Sequence, residues 1–149
     1  MADDRRLWLL RHGATEWARI GRHTGRTDIP LLPEGETEAR QLAPVLTQEH
    51  FSAVFSSPLQ RARRTCELGG LGGTMTVMKD LQEWDYGDYE GITTPQIRRT
   101  VPDWNVFTHG CPNGEDAAAV QKRCETVIRI ALKTPGDGDV ALFAHGHLL

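Results

Sequence analysis

Two histidines, two arginines and a glutamate stand at positions where they could act on one phosphorus atom. Leu7-Trp8-Leu9-Leu10 runs into Arg11-His12-Gly13, and Val140-Ala141-Leu142-Phe143-Ala144 runs into His145-Gly146. Each apolar run suits a short strand, and in open α/β sheets ligands collect at the carboxyl ends of strands. Two strand ends that each deliver a histidine would place two imidazoles in one pocket. A helix expected to start at Ser57-Pro58 carries Arg61 in its first turn, where unpaired N–H groups and the macrodipole favour anions. Arginine's planar fork suits phosphate oxygens, and a neutral imidazole is a competent nucleophile toward phosphorus. Arg11 and Arg61 would then neutralise the charge developing on a transferred phosphoryl group. The leaving oxygen needs a proton. Glu83 is the favoured donor, because Trp84 and Tyr86 beside it would desolvate the carboxyl and raise its pKa. Asp85 and Asp88 are rivals on composition alone. No metal-ligand spacing is evident, so neither a metal nor a cofactor is expected.

The elements that must position these residues read as strands alternating with helices. Leu7 to Leu10, four apolar residues without a turn former, suits a strand buried on both faces. The polar, glycine-punctuated stretch from Thr15 to Thr27 reads as a long loop over that strand's end, with Arg22, His23 and Arg26 close together. Pro33-Glu34-Gly35-Glu36 opens a helix with Ala39, Leu42, Ala43 and Leu46 at helical spacing, although Pro44 should kink it. Ala53 to Ser56 suits a strand, and Ser57 should cap the helix that follows. Gly69-Gly70-Leu71-Gly72-Gly73 ends that helix, and Met75 to Met78 predicts a third strand. Pro95 to Thr100 predicts a brief helix, and Val101 to Gly114 a loop holding Trp104 and Phe107. Glu115 to Lys133 predicts the longest helix, with Val120, Cys124, Val127, Ile128 and Ala131 on its inner face. The pattern predicts an α/β fold, a three-layer sandwich with a mostly parallel central sheet flanked by helices.

A chain of 149 residues is expected to form a single domain, spanning 1–149. Its 17 basic and 20 acidic residues leave a net charge of −3, so no global field favours nucleic acid or an anionic membrane. The apolar run after Arg5-Arg6 is too short for a signal-peptide core or a membrane span. Three cysteines without metal-type spacing (Cys66, Cys111, Cys124) fit reduced thiols, and a cytoplasmic location is expected. The chain stops just after the last strand, where an α/β unit should continue into a covering helix. Either the chain is incomplete at its C-terminus or a partner covers that face, which leaves self-association into a homo-oligomer open.

The chain resembles the histidine phosphatase superfamily, which is related to phosphoglycerate mutase, from Leu9 to His147. Leu10-Arg11-His12-Gly13-Ala14-Thr15 looks like the family signature, which implies His12 as the phosphorylated nucleophile and Arg11 as a phosphate ligand. Ser57-Pro58-Leu59-Gln60-Arg61-Ala62 is similar to the segment supplying a second phosphate-binding arginine, Arg61. Leu81-Gln82-Glu83, with Gly87 and Glu90-Gly91, resembles the segment bearing the proton donor. Ala144-His145-Gly146 resembles the second-histidine motif, which implies that His145 binds the phosphoryl group and orients His12. Gly114-Glu115 matches a loop-to-helix element. Gly21-Arg22-His23-Thr24-Gly25, Glu83 to Gly91 and Gly110 to Glu115 look like the acid phosphatase and sedoheptulose-bisphosphatase-like branch. The family's frequent glutamate after Arg-His-Gly is Ala14 here, and a frequent phosphate-touching asparagine is Ala18. The phosphate site is therefore expected to draw on Arg22, His23, Thr24 and Gly25.

The resemblance implies a metal-independent phosphatase acting on small phosphomonoesters, sugar phosphates among them. A phosphosugar or phosphoglycerate mutase would use the same pocket. Such mutases usually carry a longer, more basic insertion between the Glu83 region and Gly114. That stretch is short here, with Arg98, Arg99 and His109 its basic residues, and these could greet a second phosphate or a carboxylate. Tyr86, Trp104 and Phe107 suggest a partly apolar rim. A phosphate-recognising regulatory module without strong turnover is the reading from a different class.

Overall fold

The computed structural model describes residues 4–149. Strand β1 (Leu7–Arg11) leads through a short helix α1 (Glu16–Arg19) to helix α2 (Pro33–Leu46) and strand β2 (Phe51–Ser56). Helix α3 (Gln60–Leu68) and strand β3 (Met75–Val77) follow, then two one-turn helices, α4 (Thr94–Ile97) and α5 (Val106–His109). The long helix α6 (Ala117–Lys133) returns the chain to strand β4 (Asp139–Ala144). All strand pairs are parallel and the order is β1-β4-β2-β3. The α/β layering read from the sequence is therefore present, with helices on both faces.

Strand β4 organises the interior, and every one of its residues is buried. Its period of two divides them between the faces. Val140, Leu142 and Ala144 pack with Val120, Val127 and Ala131 of α6, while Ala141 and Phe143 pack with Leu46 of α2 and Cys66 of α3. A strand buried on both faces needs this near-continuous apolar run.

Several local expectations shift. β1 has the same kind of run but lies at the edge of the described sheet, and Leu9 is 55% exposed rather than buried. The loop after Thr15 contains α1, capped by the Thr15 hydroxyl accepting the Ala18 N–H. Pro44 does not interrupt α2, because it sits near the last turn and removes one hydrogen bond there. Ser57 does not cap α3. The cap position falls on Leu59, and the Ser57 hydroxyl accepts the Leu59 N–H while turning toward His145. Ile128 lies on the exposed side of α6, which is capped by Asp116 through the Ala119 N–H. Trp104 is a core residue rather than a rim, and the three cysteines are free, with Cys66 and Cys111 buried.

Candidate functional site

The parallel register carries the two histidines to one place. Arg11 pairs with Ala144, so His12 and His145 leave adjacent strands side by side, and the His12 N–H donates to the Ala144 carbonyl at 3.3 Å. Their rings lie 5.2 Å apart. His12 Nδ1 sits 2.7 Å from the Gly13 carbonyl, a contact that requires its proton on Nδ1 and leaves Nε2 with a free lone pair. Burial, reinforced by the charges of Arg61 and Arg11, pushes the His12 imidazole down to about 4 against the opposing pull of that bond. His12 is thus neutral at physiological pH.

Gly13 lets this turn close. Its N–H donates to the Thr65 hydroxyl of α3, and a Cβ there would meet the Gly35 carbonyl oxygen at 2.3 Å. The strand end and α2 consequently meet backbone to backbone behind His12, with α3 joined to them through the Thr65 hydroxyl.

His145 is fully buried, and its Nε2 lies 2.8 Å from the Ser57 hydroxyl. Burial, then Arg61, lowers this imidazole to about 2. Arg61 is also fully buried. Its Nη1 donates to the Thr27 carbonyl at 2.8 Å, and its Nη2 to the carbonyls of Thr24 and Gly25 at 3.0 and 2.8 Å. Two buried side-chain polar atoms among the described residues have no hydrogen-bond partner, and they are Arg61 Nε and His145 Nδ1. Leaving such a group unpaired costs about 1–3 kcal/mol, and native proteins hold few of them.

The loop from Arg22 to Thr27 is held from two sides by opposite charges. Arg61 donates to its carbonyls, and the Glu90 carboxylate accepts the N–H groups of Gly25, Arg26 and Thr27 at 2.6, 2.8 and 3.3 Å. The His23 N–H and the Gly91 N–H complete a short ladder with Ile92 and His23. Arg26 turns away to Gln82 and Glu115, and Arg22 lies over the Trp17 ring at 6.0 Å.

Glu83 is 5% exposed. Its Oε1 accepts the N–H groups of Trp84 and Leu148 at 2.8 and 2.9 Å, and its Oε2 that of His147 at 3.0 Å. Burial raises the carboxyl above the ordinary glutamate range, and these three donors and Arg61 only partly offset it. Arg123 of α6 secures the preceding turn through the carbonyls of Asp80 and Gln82 and pairs with Glu115.

A cavity of about 280 Å³ opens onto this arrangement. Arg11, His12, Arg22, His23, Thr24 and Glu83 line it together with Tyr86, Gly146 and His147. Arg61, His145 and Gly25, also expected from the sequence, stand behind the wall rather than in it. Arg98, Arg99 and His109 do not line it. Arg98 donates to the Trp104 carbonyl, and His109 is held by Asn105 and Asp103. Ser57 and His147 are not among the site residues that the sequence points to. Ser57 looked like a helix cap, and the only signal for His147 was its place two residues after His145. Among the described residues no group of three His, Cys, Asp or Glu side chains could hold a metal ion, and no helix is long and apolar enough to cross a membrane.

A parallel α/β sheet with histidines at two neighbouring strand ends, backed by a buried arginine, defines the class of this molecule. The model of the histidine phosphatase superfamily (branch 1) matches residues 7–149, and the chain belongs to that family. It is 45% identical over 144 residues to an acid phosphatase of Mycobacterium tuberculosis, covering 95% of this chain and 70% of that protein. It is 33% identical to sedoheptulose 1,7-bisphosphatase of Saccharomyces cerevisiae, covering 97% of this chain and 64% of the relative, less than two thirds of its length. A solved structure of an open reading frame product from Mycobacterium tuberculosis superposes with a TM-score of 0.91 at 44% identity, covering 97% of this chain and 76% of that one. The fold is therefore phosphoglycerate mutase-like, in a chain shorter than its homologues.

Proposed function

We propose that this chain is a phosphatase that hydrolyses small phosphomonoesters through a phosphohistidine on His12. The observation that carries the reading is a neutral His12 on the cavity wall with its Nε2 lone pair free, the His145 ring 5.2 Å from its own and the charges of Arg61 and Arg11 acting on it. A tetrahedral anion in the cavity would meet the His12 imidazole at the wall, with the buried Arg61 charge and His145 ring standing behind it. Arg11, at the cavity wall, would neutralise an oxygen of the anion. A Cβ on Gly146 would approach the Arg11 guanidinium carbon to 3.1 Å, so glycine leaves room for that side chain.

In the first step the His12 Nε2 lone pair forms a bond to phosphorus. The ester P–O bond breaks, and the leaving oxygen takes the proton of the Glu83 carboxyl. In the second, the Glu83 carboxylate takes a proton from water, whose oxygen attacks phosphorus. The P–N bond breaks, its electron pair returns to Nε2, and inorganic phosphate leaves. The His12 imidazole is lowered and the Glu83 carboxyl raised, shifts in the opposite directions that this division of labour needs. The positive charge comes from guanidinium groups, so the route requires no metal. The net charge of −3 and the cavity's size suit a small phosphorylated molecule rather than nucleic acid.

The test is phosphate release from an aryl phosphate in the presence of a chelator, comparing the native chain with His12→Ala. Turnover that persists with chelator and disappears in the variant is the expected result. Equal residual activity in both would remove His12 as the nucleophile.

A further inference from the structure

Glu83 is gripped by a closed circuit of chain and hydrogen bonds. Tyr86 lies three residues after Glu83, and its phenol hydrogen-bonds Nδ1 of His147. The His147 backbone N–H then donates to Glu83 Oε2 at 3.0 Å, with Leu148 donating to Oε1. Glu83, Tyr86 and His147 all line the same cavity. The circuit ties the segment after the third strand to the end of β4, two elements that are distant in sequence.

The protons in this circuit have a defined direction. Burial, followed by the charge of Glu83, raises the Tyr86 phenol well above its ordinary range, so it keeps its proton. Burial, with His23 and Arg11 adding to it, lowers the His147 imidazole, so it is neutral. The phenol O–H therefore donates, Nδ1 accepts, and the imidazole proton resides on Nε2. The ring is also packed, stacked on His23 at 6.0 Å and edge-on to Phe107 at 5.8 Å. His23 is itself fixed by its Nδ1 contact to the Ile92 carbonyl. Packing sets the plane of the His147 ring, and the Tyr86 hydroxyl sets its rotation about that plane.

We propose that Tyr86 and His147 are a positioning pair that holds the Glu83 carboxyl in place for proton transfer, an inference that rests on the reading of Glu83 as general acid. Releasing the His147 ring frees the backbone N–H that binds Oε2, and the carboxyl then moves while the phosphate-facing groups stay. The charged and titratable groups facing Glu83 are Arg61 from α3 and Tyr86 and His147 in the circuit, with Arg123 of α6 and Arg26 of the 22–27 loop both donating to its backbone carbonyl.

Proton donation matters most for a poor leaving group, which gives the pair a distinctive signature. Tyr86→Phe is expected to lower kcat about tenfold on an alkyl phosphate and less than about twofold on p-nitrophenyl phosphate, with KM unchanged, because a misplaced acid loses part of the ~10²–10⁴-fold contribution of general acid catalysis. His147→Phe keeps the ring packing but has no Nδ1, and it should show the same selective loss. Losing one N–H donor raises the carboxyl pKa, so the alkaline limb of the rate profile moves to higher pH. The same rise should appear in the Glu83 carboxyl carbon resonance, read by NMR in the folded chain whatever its turnover. Equal losses on both substrates, or an unmoved Glu83 titration in Tyr86→Phe, would overturn the pair. Glu83→Gln separates the two claims. If it lacks the leaving-group-selective loss, the general-acid reading fails and the pair falls with it. If it shows that loss and Tyr86→Phe does not, only the pair fails.

Discussion

His12 and His145 are neighbours because Arg11 and Ala144 are registered partners in a parallel ladder, which brings their rings to 5.2 Å. Two neutral imidazoles can lie this close in a buried site, whereas two charged ones would repel. Their neutrality is thus a condition of the folded state.

Stability should consequently fall in acid. The folded imidazoles titrate at about 4 for His12 and about 2 for His145, both below the ordinary 6.5. Between those values the unfolded chain binds more protons than the folded one, so stability rises with pH. The contribution is fully present above about 6.5 and is lost progressively as pH drops toward 4 and below. Urea unfolding from pH 8 to pH 4 should show this slope, flattened in His145→Gln. Parallel slopes for the two proteins would show that His145 is not held neutral.

Arg61 has two tasks, facing His12 and holding the 24–27 loop through three carbonyls. Arg61→Ala leaves those carbonyls short of donors and frees the loop from one of its two charges. A loss of roughly 3 kcal/mol or more is expected, in the range seen when a buried hydrogen-bonded charge is removed. Phosphate affinity should vanish with it. Equilibrium unfolding and phosphate titration would read the two effects separately, and unchanged stability would contradict the loop-holding role.

The backbone contact behind His12 has no tolerance for a side chain. Gly13→Ala would place a Cβ 2.3 Å from the Gly35 carbonyl oxygen, where no flexible group can give way. The expected cost is more than about 2 kcal/mol, with the nucleophile displaced. Gly73→Ala is the control, since nothing lies within 4 Å of its Cβ, and it should change stability by less than about 0.5 kcal/mol. A thermal melt of both variants checks the contrast.

Much of this was legible because the sequence states it locally. Apolar runs ending in His-Gly marked β1 and β4, and period 3.6 marked α2 and α6. The aromatic neighbours of Glu83 likewise announced its burial. Edge and centre were not distinguishable, since Leu7 to Leu10 and Val140 to Ala144 are equally apolar, yet only β4 is wholly buried. The helices at Glu16–Arg19 and Val106–His109 are four residues each, too short for any period to register. Ser57 illustrates the deeper reason. Its local pattern is that of a cap, and only the tertiary register turns its hydroxyl to His145. The same holds for Tyr86 and His147, 61 residues apart and joined only where the segment after β3 packs beside the end of β4.

The most direct test of the account is to capture the phosphoryl group on the protein. The chain is mixed briefly with a radiolabelled phosphomonoester, quenched in alkali and digested. Label that is stable to alkali, labile to acid and confined to the peptide holding His12 is the predicted result, with His12→Ala unlabelled. Turnover in the native chain with no label on that peptide, or with label on another residue, would contradict the phosphohistidine route.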